Sequence, residues 1–102
     1  MNGKDIQRNM ARINKITARR TKLHRELAET MIANISDIAI IEYWPARYLM
    51  IDLREQKDVT PPFMSTLLGC GSWCNKRGKK FYVKYLNGLI EDQNRNVILN
   101  KL

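Results

Sequence analysis

Between residues 73 and 85 the chain interleaves rings with cations: Trp73, Lys76, Arg77, Lys79, Lys80, Phe81, Tyr82, Lys84 and Tyr85. Residues 76–84 alone carry five Lys or Arg and no acid. Cations along a segment suit phosphates, and rings give bases a surface to stack on, a combination that holds single strands without sequence preference. The plainer alternative is that Trp73, Phe81 and Tyr85 fill a core, which still leaves Lys76 to Lys80 free to meet an anion. Trp73 and Tyr82 are the candidate stacking residues. Tyr43 and Trp44, in "IIEYW", are candidate anchors of the aromatic kind found at protein interfaces.

A second basic group lies near the N-terminus. Lys4, Arg8, Arg12, Lys15, Arg19 and Lys22 recur every three or four residues, and residues 4–25 hold eight Lys or Arg against one acid, Asp5. A solvated helix face usually mixes signs to gain pairs one turn apart, whereas these neighbours repel. Residues 26–58 reverse the balance with seven acids against three bases, so the net charge of +8 is gathered in two places. Such an arrangement points to a polyanion or to an acidic protein surface. If five of these side chains neutralised duplex phosphates, log K would fall with log salt at a slope of about −4.5.

Other chemistry finds little support. Cys70 and Cys74 are four apart, His24 is the sole histidine, and a structural zinc site needs four ligands. Buried or half-buried thiols are the expectation, with no metal and no cofactor. No nucleophile elbow, glycine-rich phosphate loop or carboxylate cluster is visible, so no catalytic residue is assigned and the chain reads as a non-enzyme.

The stretch "LREQKDVTPPFMSTLLG", residues 53–69, resembles the centre of a helix-turn-helix. Leu53 would face the core, Val59 would pack under the turn, Thr60 would cap, and Phe63, Met64 and Leu67 would anchor the second helix. The match departs from that pattern at Arg54, Lys57 and Asp58, two of which fall on sites where an unpaired charge is expensive. No Arg, Lys, Asn or Gln lies between Pro61 and Gly69 to make a bidentate base contact. The favoured reading is a Pro-capped helical corner.

These groups need elements to hold them. Residues 4–33 contain no Pro or internal Gly, and Ile6, Met10, Ile13, Ile16, Leu23, Leu27 and Met31 repeat at helical spacing. They form an apolar stripe roughly 145° around a helix from the basic one. "DIAIIEYW" fits either a strand or a short buried helix. Pro45 can open a helix running to about Lys57, Thr60 can cap a short one, and Gly69 can stop it. "GCGSWCNKRG" reads as a loop. Residues 79–92 place Phe81, Tyr85 and Leu89 four apart and favour a helix, with a hairpin about Asn87-Gly88 as the rival within 81–98.

The expectation is one mainly α domain of 102 residues: a long basic amphipathic helix at 4–33, a compact part of three or four shorter helices at 34–92, and a tail at 93–102. Apolar runs never exceed four or five residues, which speaks against a membrane span or secretory signal and for a cytoplasmic protein with reduced thiols. The expected function is a small accessory protein that binds nucleic acid, or a nucleic-acid-processing complex, through Arg8, Arg12, Lys15, Arg19, Lys22, Lys76, Arg77, Lys79, Lys80 and Lys84. One alternative is a phage- or mobile-element-type inhibitor that docks on a host nuclease, helicase or polymerase. A helix-turn-helix transcription regulator is the other.

Overall fold

A computed structural model describes residues 20–102, and it shows an α/β fold in place of the mainly α one. Helix α1 is described over residues 20–34. It is followed by β1 (Ile38–Trp44), β2 (Arg47–Asp52), β3 (Lys57–Asp58), α2 (Leu67–Lys76), β4 (Phe81–Lys84), β5 (Ile90–Asp92) and β6 (Val97–Leu99). The strands form one mixed sheet in the order β3-β2-β1-β4-β5-β6. β1 and β4 run parallel, and the other pairs are antiparallel.

Alternation along β1 explains the layers. Ile38 and Ile40 join Tyr48, Met50, Phe81 and Val83 on the face covered by α2 through Cys70 and Cys74. Ala39 and Ile41 join Ile51, Tyr82, Ile90 and Leu99 on the face covered by α1 through Ala28, Ile32 and Ala33. A strand buried on both sides loses the polar half of its alternation, which is why "IAII" and "YLMI" carry no period of two. The helix expected from Pro45 to Lys57 is therefore β2 and a turn. Asp52 Oδ1 accepts the N–H groups of Arg54 and Glu55 at 3.0 and 2.9 Å, so the helix-forming letters after it are spent on a tight reversal.

The helix-turn-helix stretch folds differently as well. Thr60 Oγ1 accepts Met50 N–H at 2.8 Å, and so finishes the β2 edge and caps no helix. Residues 61–66 are irregular, and the chain enters α2 only at Leu67, with Thr66 Oγ1 accepting Gly69 N–H at 3.0 Å as the N-cap. Gly69 lies inside the helix that it was expected to end. "GCGSWCNK" is helix, not loop, because burying Cys70 and Cys74 outweighs about 1 kcal/mol of propensity per glycine. Gly78 (φ 63°), one residue beyond the Arg77 cap, takes the left-handed stop.

Residues 81–92 form the rival hairpin. Asn87 Oδ1 accepts Leu89 N–H at 3.0 Å and Gly88 adopts φ 86°, so the turn chemistry prevails over the spacing of Phe81, Tyr85 and Leu89. The expected tail supplies β6 at the sheet edge. Helix α1 is tied down where Arg25 donates to Gly88 O at 2.6 Å and to Asn100 O at 2.8 Å. Its expected apolar stripe faces outward: Leu23, Leu27 and Met31 are 56, 56 and 70 % exposed. Small Ala28 and Ala33 sit above the large Tyr82, Ile90 and Leu99 instead, which lets the helix approach the sheet. Among the described residues, no helix is long and apolar enough to cross a membrane.

Candidate nucleic-acid interface

The end of α2 gathers the second basic group. Lys76 lies in the last helical turn, Arg77 is the C-cap, and Lys79 and Lys80 follow before β4 begins. Cations belong at this end of a helix, where unpaired carbonyls give it partial negative charge. Arg77 is held in place: its Nη1 donates to Trp73 O at 3.2 Å, and its guanidinium lies 4.1 Å from the centre of the Trp73 ring. The indole is thus covered by a cation whose own plane offers a stacking surface.

Most acids of the described residues are occupied, chiefly in turns. Glu42 accepts Leu86 N–H at 2.9 Å and Ala46 N–H at 3.0 Å, and these bonds hold its carboxyl below the ordinary carboxylate range. The N–H groups of Glu55 and Arg54 do the same for Asp52, and those of Asn96 and Asn94, with the Asn96 amide, for Asp92. Asp58 accepts from the N–H of Thr60 at 2.8 Å and from its hydroxyl, and Asp37 from Lys80 N–H at 2.9 Å. Among the described residues two ion pairs form, Lys57 with Glu55 at 2.7 Å and Lys84 with Glu29 at 2.8 Å. Among the described residues the side chains of Lys76, Arg77, Lys79 and Lys80 form no ion pair, although Lys79 is near enough to Asp52 to help lower it.

The structure thus brings together Trp73, Lys76, Arg77, Lys79 and Lys80 and separates the other expected residues. Lys84 is bound to Glu29 on the α1 side of the sheet. Tyr82 is 4 % exposed in the core beneath α1, so it offers no stacking face. Tyr43 and Trp44 are exposed at the far end of β1, whose first residue pairs with β4 beside Lys80. Lys22 is exposed on α1. Arg8, Arg12, Lys15 and Arg19 lie outside the described residues.

Two features had no sequence signal, because both depend on the sheet. Arg54 and Lys80 border a concavity of about 430 Å³ beside the end of α1. A cleft of about 390 Å³ opens between α2 and the β4–β5 hairpin with the turn after it, lined by Leu67, Leu68, Gly71, Ser72, Asn75, Lys76, Phe81, Val83, Tyr85, Glu91, Asp92, Gln93 and Arg95. The cysteines take no part in either. Cys70 and Cys74 are free, fully buried thiols against the sheet, and burial pushes both upward, Cys74 to about 11. Comparison with protein-family models, curated proteins and solved structures finds no match to this chain.

Proposed function

We propose that this protein is a non-enzymatic accessory protein that grips the phosphates of single-stranded nucleic acid with the end of α2. The observation that carries the reading is the division of labour among charges. Five acids cap turns or loops, two pair with Lys57 and Lys84, and among the described residues the four cations at 76–80 form no ion pair. Cations at Lys76, Arg77, Lys79 and Lys80 that meet one phosphate each release counterions and make binding salt-dependent. Anisotropy of a labelled oligonucleotide between 50 and 200 mM salt tests this. Replacing all four by Gln is expected to lower the magnitude of the log–log slope by about 2.8 on a single strand. An unchanged slope excludes this grip.

A second reading rests on the outward stripe Leu23, Leu27 and Met31, which is an apolar surface beside exposed Lys22. Such a helix suits an acidic groove on a nucleic-acid-processing protein, as an inhibitor or modulator would require. A complex that survives nuclease digestion and is lost with Leu27→Asp supports it. Loss through the four Gln substitutions alone favours the first reading.

A further inference from the structure

The cleft beside α2 is not used by the phosphate grip, yet Lys76 belongs to both. Its volume of about 390 Å³ lies at the small end of the range for ligand pockets, about 300–1,000 Å³, a size that suits one flat group. Leu67 and Leu68 form one wall, and Phe81, Val83 and Tyr85 form the other. The rim is polar, with Ser72, Asn75 and Lys76 on the helix and Gln93 and Arg95 on the β5–β6 turn.

The state of these polar groups indicates the ligand. Glu91 takes the Tyr85 hydroxyl, which together with burial raises that tyrosine above its ordinary value. Asp92 is consumed by Asn94 N–H at 2.8 Å, Asn96 N–H at 2.9 Å and the Asn96 amide at 3.2 Å. Gln93 accepts Phe81 N–H through Oε1 at 3.4 Å, which leaves its NH₂ as a donor. The Asn75 amide, Lys76 and Arg95 have no side-chain hydrogen bond or ion pair within the described fold. The rim thus offers open donors at Gln93, Asn75, Lys76 and Arg95, together with the acceptor oxygens of Asn75 and Ser72 and the carboxylates of Glu91 and Asp92. A ligand matching this has two apolar faces, an edge with both donors and acceptors, and a negative charge on the side of Lys76 and Arg95. A nucleobase with its attached phosphate meets every condition.

Resting on the nucleic-acid reading above, we infer that the cleft receives one unstacked base of the strand whose phosphates lie along residues 76–80. Lys76 sits where the backbone passes from the grip to the cleft. Base capture adds a second dependence on bases to whatever stacking the Arg77 plane provides.

The test compares an oligonucleotide with an abasic oligomer of the same length, at one salt concentration, on wild type and on Ser72→Trp. Ser72 is exposed on α2, so an indole there fills the cleft without entering the core. Wild type is expected to prefer the base-bearing strand by about tenfold, a stacking contribution of ordinary size. Ser72→Trp is expected to remove most of this preference while keeping the salt slope. Equal affinity of wild type for both strands, with the slope intact, overturns base capture and leaves the phosphate grip standing. Binding of neither strand overturns both. Adenosine monophosphate provides a third arm: saturable binding that Ser72→Trp removes, with no preference between strands, assigns the cleft to a free nucleotide and overturns capture from the strand.

Discussion

The two helices cover opposite faces of one sheet by different means. Helix α1 has the stronger sequence pattern, yet it meets the sheet with Ala28, Ile32 and Ala33 and turns Leu23, Leu27 and Met31 to solvent. Polar ties at Arg25 and Glu29 complete its attachment. Helix α2 has two glycines in its first five residues and a loop-like composition, but it seats Cys70 and Cys74 at zero exposure in the larger core cluster. Periodicity thus identifies a helix without saying which side meets the core. The volume that the sheet leaves above itself decides that.

The sharpest break between the two is in what truncation costs. Met50 is fully buried under α2, with its sulfur 3.9 Å from Cys74 Sγ, whereas Leu27 projects outward from α1. Met50→Ala is expected to destabilise by about 2–5 kcal/mol, the usual cost of a core cavity. Leu27→Ala is expected to stay within about 0.5 kcal/mol, as exposed substitutions do. Urea denaturation midpoints at constant slope measure both. Equal losses would mean that α1's stripe is covered in solution, and the contrast drawn here would fail.

Alkaline pH separates the faces next. Burial raises the folded-state values of both thiols, Cys74 to about 11, while a free thiol titrates near about 8.5. The folded chain keeps the proton that the unfolded chain releases. This contribution is therefore complete below the unfolded value and is lost as pH rises towards 11, on the order of 3 kcal/mol for Cys74. Tyr82 under α1 is also raised by burial, but from an ordinary value near 10, so it enters later. The unfolding free energy should fall between about pH 8.5 and 11, and Cys74→Ala should flatten that fall. An unaltered profile would show that the α2 face does not set the alkaline limit.

What the sequence disclosed follows from the range of each interaction. Helicity from residue 20, the turn at Asn87-Gly88 and the crowding of cations at 76–80 depend on near neighbours, so local patterns reveal them. The strands β1 and β2 were obscure because both of their faces are buried, which removes the alternation that marks a strand. Residues 69–78 read as a loop because Gly69 and Gly71 weigh against helix locally, while the compensation comes from Ile40, Met50 and Val83 on distant strands. The cleft needs Asn75 beside Gln93, and only the β4–β5 hairpin brings those two amides to one rim.

The smallest effect lies inside α2. A methyl group on Gly71 would meet only Phe81 Cζ, at the ordinary contact distance of 3.6 Å, whereas on Gly69 it would meet the capping Thr66 Oγ1 at 2.9 Å. Alanine in a helix interior is favoured over glycine by about 0.5–1 kcal/mol. Gly71→Ala is therefore expected to raise the midpoint of thermal unfolding by a few degrees, about 4–8 °C per kcal/mol for a domain of this size. Gly69→Ala should gain nothing, because the cap must move. Yet Gly71 also lines the cleft, so its missing side chain leaves room there at the expense of helix stability. If the cleft holds a base, Gly71→Ala should be more stable and less selective between base-bearing and abasic strands. A variant that gains stability and keeps full selectivity would show that glycine at this position serves neither the helix nor the ligand.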